Sequence, residues 1–261
     1  MAGHKLRRLF APRQSVTAET ARLPEGLRIY AIGDIHGRDD LLKRLHALIA
    51  TDVKTAPPAK RRKLLYLGDY VDRGLHSREV IDILINRPLV GFETVYLRGN
   101  HDQQLLDFLK HPASGAMWLR YGGDATLYSY GVRFPDETPR SQQLQAMSVG
   151  LREALPPEHL AFFEGLEFCH AVGDYFFAHA GINPERRVED QTPEDLMWIR
   201  EEFLECDDDL GRVVVHGHSV TRSPEVRENR IGIDTGAVFS NTLTCLVLDQ
   251  TGHRFISTAN S

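Results

Sequence analysis

Gly68-Asp69-Tyr70-Val71-Asp72-Arg73-Gly74 follows a short apolar run, Lys63-Leu64-Leu65-Tyr66-Leu67. The run reads as a buried strand. The glycines at the two ends of the stretch let the backbone turn sharply as it leaves that strand. Between them stand two carboxylates and one guanidinium. Carboxylates at the end of a buried strand are costly unless something positive binds them. An arginine beside them pairs with them, or holds an anion that a metal also holds. A metal site that handles phosphate uses both signs of charge in this way.

The same pattern recurs four times. Ile29-Tyr30-Ala31-Ile32 leads into Gly33-Asp34-Ile35-His36-Gly37, and Thr94-Val95-Tyr96-Leu97 into Arg98-Gly99-Asn100-His101-Asp102. Asp174-Tyr175-Phe176-Phe177-Ala178 leads into His179-Ala180-Gly181, and Arg212-Val213-Val214-Val215 into His216-Gly217-His218-Ser219. Each time an apolar run ends in Asp, Asn or His with glycine beside it. Ligands of α/β sheets bind at the carboxyl ends of strands, so loops from five strands are expected to converge on one site.

These stretches, in this order, resemble the metallophosphoesterase superfamily. Within it they are similar to the PPP-type serine/threonine protein phosphatases, especially the single-domain bacterial and phage enzymes. The resemblance runs over roughly residues 28–250. It implies a calcineurin-like β-sandwich of mixed sheets flanked by helices; periodicity alone gives only α/β. It also implies two divalent metals, about 4 Å apart, that clamp the attacking and leaving oxygens of phosphoryl transfer. Asp34 and His36 would bind the first, Asp69 would bridge both, and Asn100, His179 and His218 would complete the second. Oxygen and imidazole ligands suit manganese best, with iron or zinc also accepted. His218 is preferred to His216 because it lies in a Gly-His-Ser step and Asp234 of Asp-Thr-Gly follows sixteen residues on.

By the same resemblance, a metal-bridging hydroxide is the nucleophile and His101 the acid that protonates the departing alkoxide. Asp72 orients that histidine and raises its pKa. Arg73 holds phosphate oxygens, and Met197-Trp198-Ile199-Arg200-Glu201 offers Arg200 as a second phosphate ligand. Asp102 stands where the eukaryotic enzymes commonly have Glu. His46, His76, His111, His159, His170 and His253 receive no role, since a lone histidine is usually structural.

The activity implied is removal of phosphate from phosphoserine and phosphothreonine of proteins, so phosphoproteins or phosphopeptides are the expected partners. The alternative is a symmetrical dinucleoside tetraphosphate hydrolase, which shares the metal site but usually lacks the second Asp of the Gly-Asp-x-Val-x-Arg-Gly motif. Asp72 therefore favours the phosphatase. The Gly-His-x-His step of phosphodiesterases and nucleases is absent, since Val220 follows Ser219. Every expected ligand is present, which speaks against an inactive scaffold.

The chain has 261 residues, enough for one sizeable domain, and a formal charge of −5. That charge argues against a general nucleic-acid binder. No uninterrupted apolar stretch of about 18 residues suggests a membrane helix. Three scattered cysteines, Cys169, Cys206 and Cys245, form no metal or disulfide spacing, which fits a reducing cytoplasm. Residues 1–26 are expected to be a flexible basic arm, dispensable for chemistry, and 27–261 a single catalytic domain.

Helices are expected over Asp39–Ala50, with Asp39 or Asp40 as N-cap, and over Ser77–Asn86. Residues 103–165 are expected to form a helical cap insertion without a metal ligand: Gln103–Lys110, Ser141–Leu155 and Pro157–Leu166. A further helix is expected over Pro193–Leu204. Strands over 167–172, 175–178, 212–215, 226–234 and 242–249 complete the chain.

Overall fold

The computed structural model describes residues 15–133 and 139–259. The first half alternates strand and helix: β1 (Leu27–Ile32), α1 (Asp39–Thr55), β2 (Arg61–Tyr66), α2 (Ser77–Asn86), β3 (Glu93–Tyr96) and α3 (Asn100–Lys110). Four helices follow: α4 (Gly115–Trp118), α5 (Gly123–Ser129), α6 (Arg140–Ala154) and α7 (Pro157–Glu164). The second half holds β4 (Cys169–Val172), β5 (Tyr175–Ala178), α8 (Pro193–Trp198), α9 (Glu201–Leu204), β6 (Val213–His216), β7 (Glu225–Val226), β8 (Arg230–Gly232), α10 (Ala237–Ser240), β9 (Thr244–Asp249) and β10 (Gly252–Ser257).

Two five-stranded sheets result, ordered β10-β9-β1-β2-β3 and β4-β5-β6-β8-β7. Each has a parallel run of three strands: β1-β2-β3 ends the first sheet, with antiparallel β9 and β10 on the β1 side, and β5-β6-β8 is the centre of the second, with antiparallel β4 and β7 at its two edges. The period-2 alternation of a strand assigns the faces. Ile29 and Ala31 of β1 meet Phe177, Val213, Val215 and Ile231 between the sheets. Tyr30 and Ile32 point the other way, into the layer of α1, α2, α3 and α7. Phe176, Ala178 and Val214 cover the far face of the second sheet against Leu196 and Phe203. This is the expected sandwich of mixed sheets flanked by helices. The helices lie on one face of the β1-β2-β3 sheet rather than both, because the second sheet covers the other.

Several boundaries differ from the sequence expectation. The segment expected to be a free arm as far as residue 26 is packed where it is described. Ala18, Ala21 and Leu23 are buried in the inter-sheet core, the Ala18 N–H donates to the Glu228 carbonyl at 2.8 Å, and the Arg22 N–H donates to Asp174 at 2.9 Å. Residues 1–14 lie outside the described residues. Residues 226–234 form a hairpin and not one strand, because polar Arg227, Glu228 and Asn229 turn the chain and Arg227 N–H bonds the Arg230 carbonyl at 2.9 Å. Arg38, not Asp39 or Asp40, occupies the N-cap of α1; both aspartates lie in the first turn, where their charge complements the helix dipole. The helix expected over Pro193–Leu204 breaks at Ile199–Arg200, where Arg200 takes φ −135° and ψ −100°. No helix among the described residues is long and apolar enough to cross a membrane.

Candidate metal centre

The loops after β1, β2, β3, β5 and β6 interlock backbone to backbone. The Ile35 and His36 N–H groups donate to the Asp69 carbonyl at 3.1 and 2.9 Å, and Gly217 N–H donates to the His179 carbonyl at 2.8 Å. A Cβ at Gly99 would collide with the Asp69 carboxylate, and one at Gly217 with that of Asp34. Six non-glycine residues among those described have positive φ, and five are site candidates: His36 (47°), Asp69 (52°), Asp72 (72°), Arg73 (67°) and His218 (61°). That region is costly for residues with a Cβ. The surrounding packing holds these five side chains in orientations an unstrained loop would not choose.

Asp69 is the centre of the cluster. Its Oδ2 lies 3.4 Å from His36 Nε2, 3.5 Å from His179 Nε2 and 4.0 Å from His101 Nε2. Two groups that can hold a cation share it: His36, Asp69 and His101, and Asp69, His179 and His218. His36 Nδ1 donates to the Val71 carbonyl at 2.8 Å and His179 Nδ1 to the Leu67 carbonyl at 2.9 Å. Those bonds fix the tautomer that leaves each Nε2 with a lone pair, the usual way a protein prepares a histidine ligand. His179 Nε2 and Asn100 Oδ1 then face one another at 2.9 Å as two lone-pair atoms. His218 Nδ1 is 2.9 Å from the same oxygen. Lone pairs converging from an amide, a carboxylate and imidazoles fit a divalent cation of the manganese, iron or zinc type.

The electrostatics agree. Burial lowers His36 to about 3 and His218 to about 2, the latter helped by His179. Burial also lowers His179. These imidazoles are therefore neutral and able to ligate. Burial alone would raise the Asp69 carboxyl, but the attraction of the surrounding histidines when they carry a proton, His179 first, outweighs that and holds it below the usual carboxylate range. Asp34 is pushed well up by burial and by Asp234 and Asp69.

A second constellation adjoins the first. Asp72 is fully buried. Its Oδ2 accepts from His101 Nδ1 at 2.7 Å and Trp118 Nε1 at 2.8 Å, and its Oδ1 accepts from the Thr126 hydroxyl at 2.6 Å. Burial lowers the His101 imidazole, but Asp69 and the Asp72 hydrogen bond prevail and the net shift is upward. Arg73 spans the two groups, with Nη1 2.9 Å from His36 Nε2 and Nη2 2.9 Å from His101 Nε2. His36 Nε2 is free to ligate a cation only once that guanidinium turns aside.

All ten residues selected from the sequence fall at or beside this cluster. Arg200 is its exposed member: it stands in the break between α8 and α9, close enough for its charge to depress His218. Asp34 lies apart from both cation triads; its two oxygens accept from the His218 N–H at 3.2 and 3.1 Å. His216 belongs to neither cation group; its ring lies edge-on to Phe203 at 5.1 Å between ring centroids.

Four contributors escaped sequence reasoning. Trp118 and Thr126 come from α4 and α5, so the insertion expected only to cap the cleft supplies two of the donors that hold Asp72. A buried tryptophan needs a partner for its N–H, which was the available signal. Asp102 accepts from the backbone N–H groups of Asp69, Tyr70 and Gly99 at 2.8, 3.1 and 2.9 Å, tying two of the site loops together. The fourth is Asp234, buried against Asp34 and pushed up to about 6, chiefly by burial.

The chain matches the calcineurin-like phosphoesterase family over residues 27–238 and belongs to it. It is a hydrolase of the metallophosphoesterase kind. It is 30% identical over 234 residues to the asymmetrical bis(5'-nucleosyl)-tetraphosphatase PrpE of Bacillus cereus, covering 82% of this chain and 88% of that protein. Among solved structures it resembles a provisionally assigned diadenosine tetraphosphatase (TM-score 0.59, 19% identity, 90% of this chain and 95% of that one). It also resembles a serine/threonine phosphatase of Saccharomyces cerevisiae described as similar to human PP5 (TM-score 0.51, 15% identity, 90% of this chain and 81% of that one). These two likenesses speak to the fold.

Proposed function

We propose that this chain is a metal-dependent phosphomonoesterase acting on phosphoserine and phosphothreonine of proteins. The observation that carries the reading is the buried Asp72–His101 pair, with Trp118 and Thr126 holding the carboxylate. An alkoxide released from serine or threonine is a strong base and leaves only with a proton. A phosphate released from an anhydride needs no such help. A histidine raised by a buried aspartate is a general acid suited to the first task.

Asp34, His36, Asp69, Asn100, His179 and His218 are the residues that would hold two divalent cations, manganese being the metal we favour. When bound, such cations acidify water and offset the charge of phosphoryl oxygens. The Arg73 guanidinium, together with Arg200, binds the non-bridging oxygens through planar N–H groups. His101 gives its Nε2 proton to the leaving oxygen while Asp72 keeps the Nδ1–H in place. Beside α3 a cleft of about 710 Å³, lined in part by Gln103, Met117, Phe168, Met197 and Trp198, offers room for the peptide around the phosphorylated residue.

A second reading is hydrolysis of dinucleoside tetraphosphates. It is favoured by the Bacillus cereus relative, whose name makes that cleavage asymmetrical where the sequence expectation was symmetrical. A side-by-side assay separates the two. Metal-free protein restored with manganese is expected to release phosphate from a phosphothreonine peptide with a higher kcat/KM than it cleaves a dinucleoside tetraphosphate. The reverse preference overturns the phosphatase reading and leaves the metal centre standing.

A further inference from the structure

Asp234 entered the sequence reading only as a spacing marker for His218. The structure gives it a different setting. Ile233 N–H bonds the His216 carbonyl at 2.9 Å, and a Cβ at Gly33 would collide with the Ile233 carbonyl. A Cβ at Gly33 would also lie 3.6 Å from the Asp234 Cα, so the chain after β8 is held against the chain after β1 and Asp234 is set beside Asp34. Asp234 is 2% exposed. Its Oδ1 accepts from Gly236 N–H at 2.9 Å. Its Oδ2 has no hydrogen-bond partner among the described residues.

Two ionised carboxylates buried side by side offer only acceptors to one another. With nothing positive between them the arrangement is unfavourable. Among the described residues the cation acting on both is Arg73, which is already engaged with two imidazoles. A solvent-facing structural aspartate would not be placed so. A carboxylate that must be ready for a divalent cation would, because its charge raises the cation's affinity at the cost of the metal-free fold.

We propose that Asp234 is a positioning residue of the metal centre: it holds the Asp34 carboxylate and adds a negative charge beside the cation that Asp34 binds. The proposal rests on the metal-centre reading and is independent of the substrate. Partners of metal-ligating carboxylates typically contribute 10–100-fold to metal affinity. Asn at this position keeps the shape, can donate to Asp34, and lacks the charge.

The test uses wild-type chain, Asp234→Asn and Asp234→Ala, stripped of metal and titrated with Mn²⁺ by calorimetry, with bound metal counted by elemental analysis. The wild type is expected to bind two ions. In each variant one of the two is expected to bind about 10–100-fold more weakly, with the other unchanged. The metal-free Asp234→Asn protein is expected to unfold at the same temperature as wild type, because Asn keeps the shape and the hydrogen-bonding contact with Asp34. A residue that merely packs gives the opposite: unchanged affinity and a lower unfolding temperature, which overturns the proposal. Absence of Mn²⁺ binding by the wild type overturns both the proposal and the metal-centre reading. None of these readouts requires turnover.

Discussion

Replacing Asp72 by Asn should slow the enzyme according to how poor the leaving group is. The carboxylate takes two donors on Oδ2, from His101 and Trp118, and one on Oδ1, from Thr126. An asparagine turned so that its oxygen meets His101 and Trp118 points its amide at the Thr126 hydroxyl, which can accept. The geometry and the His101 tautomer survive, and the charge is lost. General acid catalysis supplies about 10²–10⁴-fold, or about 2.7–5.5 kcal/mol at about 1.4 kcal/mol per decade. With the tautomer kept, part of that remains. A fall of about 10²–10³ in kcat is expected on a phosphothreonine peptide, whose alkoxide needs the proton. On 4-nitrophenyl phosphate, whose leaving group is already a stable anion, the fall should stay within about tenfold. The alkaline limb of the peptide profile should move to lower pH, because Asp72 no longer raises His101. Steady-state kinetics on the two substrates with manganese in excess measures both effects. An equal loss on both would refute the acid role and reduce Asp72 to a structural anion.

His218→Ala should cost the protein one metal ion while His216→Ala leaves both; metal analysis after dialysis that shows the reverse assigns the ligand to His216. His46 tests the core away from the site. Burial lowers it to about 4 from an ordinary 6.5, and its Nε2 accepts from the Tyr66 hydroxyl at 2.7 Å. The folded state then binds the proton less readily than the unfolded chain. The stability His46 confers is complete above about pH 6.5 and is lost as pH falls toward 4. Between pH 7.5 and 5 that amounts to about 2 kcal/mol, so His46→Gln should lose that much less stability than wild type in urea denaturation at the two pH values. Parallel losses in both proteins would show that His46 is not the titrating group.

The strand-end loops were legible because each carries its own local cause. An apolar run, a glycine that a neighbouring loop leaves no room to replace, and an Asp, Asn or His together announce a metal-ligating turn. Strands β1, β2, β3, β5 and β6 were placed within two residues for that reason. What could not be read is what depends on contacts between distant segments. Trp118 and Thr126 reach Asp72 across 46 and 54 residues, and nothing near them in sequence points there. The break that presents Arg200 falls in an unbroken helical pattern. Strand β10 was missed because His253 and Arg254 interrupt its apolar alternation; it is an edge strand paired only with β9. The packed stretch at Ala18–Leu23 was hidden by the basic residues around it.

The central claim is that these buried carboxylates and imidazoles form a two-cation centre on which phosphate ester hydrolysis depends. Its most direct test is to titrate metal-free protein with Mn²⁺ while counting bound ions and following phosphate release from a phosphothreonine peptide. The account predicts no turnover without metal, two ions bound per chain at saturation, and full turnover only when the second is in place. Turnover by the metal-free protein, or saturation at a single ion, would contradict it.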